Sequence, residues 1–442
     1  FYHNNTQNWL LGLPKHILTR NHNNSIISQS WLFYDGSQNF EVMPTVGLLT
    51  KKEIWAGAVQ SSPENPTKQY QYDDFGNILI TIDALGYQTV VTYDSLYHLF
   101  PLSKENALGH QFFNEYYGVN GVPLAENGYQ GLWGQLKSSQ DANSQSVTQV
   151  YDVLGRIIKT IEPGDSLEWP TESFEYLFSS QYVRILNYKR IYSGQPHTMD
   201  IANFYDGLGR KIQSKSRAAE EEVFIVSHQI EYNPRGQIFK QYGPRFTNNG
   251  FDVLDAIDAS SPATSYYYDP LGRLIQKVNP DGTFLNSVYE NHRIITQDEN
   301  GHKIVSIFDI RGRLVEKQEY LGADGRSSYY PESVYSLYAS THYFYDDKGL
   351  LIQVMDAHNN STEIFYDILG RKIAMDDPDM GYWEYYYDLN GNLITQMDAK
   401  NQVINFSYDA LGRLSHKTDG AHLNVDYVYD DVNVPFSKGR LT

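Results

Sequence analysis

The sequence predicts an all-β protein, an antiparallel strip of β-hairpins laid side by side. Three observations predict it. Tyr-Asp pairs recur at Tyr345-Asp346, Tyr366-Asp367, Tyr387-Asp388, Tyr408-Asp409 and Tyr429-Asp430, each 21 residues after the last. Large residues alternate before each Asp: Tyr343/Tyr345, Ile364/Tyr366, Tyr385/Tyr387, Phe406/Tyr408 and Tyr427/Tyr429. Residues two apart share one face of a strand. Four of the pairs then open a short turn that reaches Gly349, Gly370, Gly391 or Gly412, with Arg371, Asn392 or Arg413 following in three. A fixed period with fixed internal chemistry marks a repeat architecture.

The turn comes first. Asp bonds its own backbone in turns, and Gly tolerates positive φ. Asp-x-x-Gly between two apolar runs therefore predicts a hairpin loop, a type I turn closed by a left-handed Gly. A second turn falls half a period later, at Asp356, Asp377, Asp398 and Asp419, 11 residues after one repeat Tyr and 10 before the next. One repeat is thus two strands and two turns. Strands of six or seven residues span roughly 20–23 Å. Equivalent tyrosines are two strands, about 9.5 Å, apart. The strands between them, with Ile352, Ile373 and Ile394, are expected to complete Tyr–aliphatic–Tyr rows.

Taken along the chain, residues 1–66 read as a degenerate lead-in, with Trp31–Gly36 as a worn repeat. Residues 67–442 read as the repeat region. Clean units open at Tyr72-Asp73 with Gly76, and Tyr93-Asp94 follows after 21 residues. Further units are Tyr151-Asp152 with Gly155-Arg156, Tyr205-Asp206 with Gly209-Arg210, and Tyr268-Asp269 with Gly272-Arg273. Insertions interrupt the beat near 126–135, 163–204, 243–264 and 321–341. Within 163–204, Ser173–Phe178 and Val183–Tyr192 read as longer strands. Asp252–Ala259 is expected to form a short helix.

The chain has 442 residues and a formal charge of −18, from 35 basic and 53 acidic side chains. It has no basic block, which argues against nucleic acid or an anionic membrane as partner. No run of 18 apolar residues occurs, so this segment is not expected to insert into a membrane. With no cysteine, disulfides and thiolate metal sites are excluded. Tyrosine, at 37 residues, suits strands. The chain begins at Phe1 and stops just after another Tyr-Asp unit, which reads as a piece of something longer.

Tyr-Asp-x-x-Gly-Arg-Leu/Ile at this period resembles the YD repeat of the RHS family, over about residues 67–442. Strings such as Tyr97-His98-Leu99-Phe100-Pro101, Glu162-Pro163-Gly164-Asp165-Ser166 and Asp376-Asp377-Pro378-Asp379-Met380-Gly381 resemble the RHS-repeat region of bacterial Tc-toxin B subunits and of SpvB-containing relatives. The resemblance implies a strip winding into a curved or spiral shell that encloses a toxic C-terminal polypeptide. The partners it implies are that cargo and other subunits or domains of the same toxin, and the place is extracellular. The family's core region with its aspartyl autoprotease has no counterpart in the sequence. Asp269-Pro270-Leu271-Gly272 sits inside an ordinary repeat and reads as a turn.

Sharper chemistry competes with turn chemistry and loses. The repeat aspartates recur at every turn, where a turn role already explains them. Asp376–Gly381 with Glu384 hints at a calcium loop but lacks the ligand spacing of one and falls on the second turn. The 13 histidines form no zincin pair, and no nucleophile elbow or phosphate loop occurs. No catalytic residue, metal or cofactor is therefore expected. Trp133 and the Tyr-rich stretch 326–345 stand open as contact surfaces or as packing beneath loops. The leading function is a structural wall that encloses polypeptide. The rivals are an adhesion or glycan-binding module and, less favoured, a glycosidase with two facing carboxylates. A β-propeller is the rival fold, but it would need about ten blades, beyond the usual 4–8.

Overall fold

The computed structural model describes residues 1–220, 222–322 and 335–442. Most of the excursion at 321–341, and with it part of the Tyr-rich stretch 326–345, lies outside the described residues. Every regular element among them is a β-strand, and every strand pairing is antiparallel. Short-range turn chemistry explains most of this, because most strands reach their partner through a turn of a few residues.

By contact the chain forms two compact units. One holds Phe1–Pro123, Trp133–Ser146 and Tyr343–Thr442. Its first ladder steps from His16–Arg20 through Ile26–Tyr34, Leu49–Ile54, Thr67–Tyr72, Ile78–Ile82, Gln88–Tyr93, Pro101–Glu105 and Gln111–Tyr116 to Leu136–Gln140. Its second steps from Leu351–Met355 to Asn424–Asp426, strand by strand in chain order.

These two ladders touch through their turns. The Asn390 amide donates to Asp83 (2.8 Å) and accepts from the Ala84 N–H (3.1 Å). Asn21 donates to Asp347 at 2.7 Å. The Asn143 amide donates to the Lys438 carbonyl (2.9 Å) and accepts from its N–H (2.8 Å). The partners lie roughly 300 positions apart in the sequence and advance in the same direction along both ladders. The later strands therefore lie beside the earlier ones, turn against turn.

The other unit holds Leu124–Leu132 and Val147–His342. One ladder runs from Ile157–Ile161 through Glu172–Phe178, Val183–Arg190, Thr198–Tyr205, Lys211–Arg217 and Phe224–Ser227 to Arg245–Thr247. At His228, with φ +53°, the chain leaves that ladder and starts a second at Gln229–Tyr232. The long strands expected within 163–204 are present as Glu172–Phe178 and Val183–Arg190.

A single sheet buries little, and one compact core among the described residues forms where a segment covers the sheet. That segment is the excursion 243–264. Phe251 packs with Leu186, Ala202, Phe204 and Phe224. The expected helix at Asp252–Ala259 does not form: these residues are turn and coil. The backbone groups a helix would need are taken by a side chain. The Lys215 ammonium, fully buried, donates to the carbonyls of Gly250 (3.0 Å) and Val253 (2.7 Å) and pairs with the Asp255 carboxylate. Asp255 also accepts from Thr247 (2.9 Å) and Asn249 (2.6 Å).

The expected Tyr–aliphatic–Tyr rows are also overturned. Tyr366 pairs with Lys372 but Phe365 with Ala374, so Ile373 is the extra residue of a β-bulge. Tyr387 and Tyr386 pair with Leu393 and Thr395, which skips Ile394 in the same way. A bulge resets the alternation of faces. Ile373 and Phe365, 39% and 43% exposed, share the face opposite the repeat tyrosine. Strict period-two counting put the isoleucines on the wrong side of the sheet.

Candidate functional site

The strongest recurring chemistry is at the repeat turn. In the Asp367 unit the Asp367 N–H donates to the Arg371 carbonyl at 2.9 Å, and the Gly370 N–H to the Asp367 carbonyl at 3.0 Å. Gly370 has φ +84°, the left-handed conformation that closes a type I turn. The Asp367 carboxylate then uses both oxygens: Oδ1 accepts from the Arg371 N–H (2.8 Å) and Oδ2 from the guanidinium Nε (2.6 Å). The same clasp joins Asp152 to Arg156, Asp206 to Arg210, Asp269 to Arg273, Asp309 to Arg313 and Asp409 to Arg413, with Nε···Oδ2 between 2.6 and 2.7 Å. Asn takes the place of Arg in two units. Asn77 donates to Asp73 at 2.9 Å and Asn392 to Asp388 at 2.8 Å. In these eight units the residue after the Gly is a planar donor, Arg or Asn, that binds the second carboxylate oxygen. Asp346 keeps the turn with Gly349 at φ +91° and accepts from the Leu350 N–H.

Burial works against ionisation of Asp152, Asp206 and Asp269. The backbone N–H groups and the arginine outweigh it and hold these carboxyls below the ordinary range. A carboxylate so engaged is a poor proton acceptor at neutral pH.

The guanidinium faces two ways. Its other side lies against the next repeat tyrosine or its equivalent: Arg371 on Tyr387 (5.0 Å to the ring centre), Arg413 on Tyr429 (4.3 Å), Arg273 on Tyr289 (4.4 Å), Arg210 on Tyr232 (4.5 Å) and Arg156 on Tyr176 (4.4 Å). Each contact is a cation–π interaction. The tyrosine hydroxyl then donates to the carbonyl just after that arginine. Tyr387 reaches Lys372 (2.8 Å), Tyr232 reaches Lys211 (2.8 Å), Tyr289 reaches Leu274 (3.1 Å) and Tyr176 reaches Ile157 (2.9 Å). Tyr366 and Tyr408 make the same reach to Leu351 and Leu393 at 3.0 and 2.8 Å. Tyr72 finds Leu49 at 2.7 Å. Burial raises the pKa of Tyr366, Tyr387 and Tyr408, which keeps the hydroxyl a donor. Asp, Arg and Tyr thus form one latch, two parts from one repeat and one from the next. The sequence carried a signal for it: Arg273, Arg371 and Arg413 each precede their tyrosine by 16 residues. Tyr387→Phe is expected to destabilise its repeat by about 1 kcal/mol, the net worth of one hydrogen bond. Arg371→Lys should cost a similar amount, because an ammonium lacks the planar fork. Hydrogen exchange of the amides in Lys372–Asp377 measures both.

Four further tyrosines of the pattern sit in or at the ends of the ladder strands. Tyr151 donates to Gln149 at 2.5 Å. Tyr205 pairs in the ladder with both Val183 and Lys211. Tyr268 pairs with Leu274, and Tyr345 closes the strand Ser336–Tyr345.

Two pairs depart from the hairpin turn. Asp94 is fully buried in a longer loop, accepting from the N–H groups of Leu96 (3.2 Å), Tyr97 (2.6 Å), Leu99 (2.9 Å) and Phe100 (3.0 Å). Burial opposes ionisation there, yet the four N–H groups win and hold its pKa at about 2. Tyr93 pairs with Pro101 across the base of this loop. Trp133 packs edge-on against Tyr97 and Phe100 of the same loop, at 5.1 and 5.3 Å. Asp430 closes a longer loop, donating its N–H to the Arg440 carbonyl (3.3 Å) and accepting from the Gly439 N–H (2.5 Å). It is clamped by Arg413 at 2.6 Å and lies 3.5 Å from buried His110. That pairing lowers the pKa of Asp430 and raises that of Arg413.

Asp377, the candidate calcium ligand, spends its oxygens on the N–H groups of Asp379 and Met380 (both 3.0 Å) and on the Thr362 hydroxyl (2.8 Å). Among the described residues no group of three His, Asp or Glu side chains is placed to hold a metal ion. Every well-placed carboxylate of the latch is committed to binding its own chain.

Residues 387–422 match the family model described as RHS Repeat. No curated protein matches the sequence at a significant level. The fold is that of solved Tc-toxin shells. A crystal structure of TcdB2-TccC3 superposes with a TM-score of 0.75 at 15% identity, over 97% of this chain and 27% of that one. A TcdB2-TccC3-TEV crystal structure gives 0.76 at 15% identity, over 100% and 30%. The Photorhabdus luminescens Tc holotoxin pore gives 0.73 at 13% identity, over 97% and 29%. The chain thus spans under a third of the length of each of these chains, and at this identity the likeness is one of fold.

Proposed function

We propose that this chain is a stretch of wall in a β-shell that encloses a polypeptide, within an extracellular bacterial toxin or toxin carrier. The observation that carries this reading is the turn-against-turn seam in the first unit. Asn390 on Asp83 and Ala84, and Asn143 on Lys438, fasten late strands beside early ones. A sheet sewn to its own earlier course makes a continuous barrier, because the ladders supply hydrogen bonds in one direction and the seam supplies them in the other.

The likeness to Tc-toxin shells supports the same reading and suggests other subunits of one toxin as partners, with the enclosed chain as cargo. The role is structural: the latch residues from Tyr72 to Asp430 hold the wall, and their carboxylates are spent on turns. The test is a cryo-EM reconstruction of the full-length gene product. A hollow shell with non-wall density inside is the expected result. A solid particle, or a shell whose interior is empty in every class, would overturn the reading.

A further inference from the structure

The strands from Leu351–Met355 to Asn424–Asp426 have two unlike faces. On the tyrosine face lie their lysines and arginines: Lys372 over Tyr385 (4.3 Å), Lys417 over Phe406 (5.7 Å), Arg371 over Tyr387 and Arg413 over Tyr429, whereas His416 lies opposite, against Asp426 at 2.6 Å. The register puts Glu363, Asp376, Glu384 and Asp426 on the opposite face, together with Gln353, Thr395 and Asn405. Of the exposed apolar residues there, Ile352, Phe365, Ile373, Tyr386 and Ile394 form a row near the hairpin ends, between 37% and 52% exposed. A recess of about 630 Å³ opens at one end of it, lined by Ile352, Phe365, Ile373 and Glu363 together with Lys348, whose ammonium is held by the Ile368 carbonyl, and Tyr366.

Repetition makes this row. The bulges after the Tyr366 and Tyr387 turns bring Ile373 and Ile394 to the same face as Phe365 and Tyr386, the aromatics that precede the repeat tyrosines. An apolar row of this length, left uncovered on a soluble sheet, marks a contact surface. The carboxylates beside it set the sign of what it contacts.

We propose that this face binds an extended polypeptide rich in apolar and basic residues, with apolar side chains on the Ile352–Ile394 row and ammonium or guanidinium groups on Glu363, Asp376 and Glu384. Resting on the wall reading above, the proposal makes this the cargo-facing side and the tyrosine face the outer one. An extended chain of six or seven residues is long enough to cross the row, which is about 19 Å over five strands ~4.8 Å apart.

The test uses the 442-residue chain and two labelled peptides of about eight residues, a length of ~26 Å that covers the row at the rise of an extended strand. One is composed of Leu, Phe, Ser and Lys, and the other has every Lys replaced by Glu. Fluorescence anisotropy should show the Lys peptide binding at least tenfold more tightly, with the preference shrinking at high salt. Phe365→Ser with Tyr386→Ser should weaken the Lys peptide about tenfold, as loss of two buried aromatic contacts requires. Gln396→Asp, on the tyrosine face, should leave it unchanged. Equal binding of the two peptides, or an equal loss in Gln396→Asp, overturns the proposal. A full-length reconstruction in which interior density lies against the tyrosine face would overturn this inference and spare the wall. A solid particle would remove the wall itself.

Discussion

Lys215→Met is expected to melt the covered part of the second unit, at a cost of about 3–5 kcal/mol. The ammonium is fully buried, and its partner Asp255 is almost as deeply enclosed. Removing one charge leaves the other in the interior without compensation, and that accounts for most of the penalty. Two further acceptors, the carbonyls of Gly250 and Val253, lose their donor. The excursion 243–264 should then detach from Phe204 and Phe224, because Lys215 holds its backbone. Hydrogen exchange of the amides in Phe224–Ser227 and Arg245–Thr247 should accelerate by more than a hundredfold. A second substitution separates charge from packing. Adding Asp255→Leu to Lys215→Met removes the stranded carboxylate and should recover a large part of the loss. Exchange as slow as in the parent for Lys215→Met alone would show that the pair carries no weight. A local readout is needed because repeat ladders unfold unit by unit.

Asp94→Ala is the second large effect, at about 2–4 kcal/mol, since four N–H groups lose one charged acceptor. The loop from Asp94 to Phe100 has no other acceptor at its centre, so Trp133, packed on Tyr97 and Phe100, should become more exposed. A red shift of tryptophan emission reports it. The pH dependence has a definite sign. Asp94 has a folded pKa of about 2, below its unfolded value. Its contribution is full above the unfolded pKa and is lost as pH falls through about 4 towards 2. Parent and Asp94→Ala should therefore differ most at neutral pH and converge in strong acid. A gap that stays constant down to pH 2 would assign the stabilisation to packing instead.

The strip was legible because its information is local. Asp, two residues, Gly and a planar donor specify one hairpin without help from elsewhere, so counting Tyr-Asp pairs recovered strand after strand. Even the worn unit Trp31–Gly36 kept its Asp, and Asp35 accepts from the N–H groups of Thr45, Val46, Gly47 and Leu48 across a long loop. Two things escaped. The bulge that reverses Ile373 leaves no mark in a hydrophobic pattern, because an isoleucine suits either face. The Lys215–Asp255 pair joins positions 40 apart across the Tyr232 hairpin and outside the repeat pattern, and Asp252–Ala259 looked helical only because helix propensity cannot see a lysine taking the Val253 carbonyl. The latch sat between these cases. Its parts were all noticed, but the arginine was read as a turn residue when it also serves the next repeat.

That sharing has a consequence for where the chain can be cut. The repeat as written runs from Tyr-Asp to the next Tyr-Asp, but the cooperative unit straddles that boundary: clasp from one copy, ring and hydroxyl from the following one. A fragment ending just before Tyr387 strands Arg371, and one beginning there removes the guanidinium on which Tyr387 rests. Neighbour coupling in this strip is thus covalently out of phase with the motif. A terminus placed between a Tyr and its Asp, as between Tyr387 and Asp388, leaves the latch on each side whole, and fragments cut there should fray less than fragments cut before the Tyr or at the bulge.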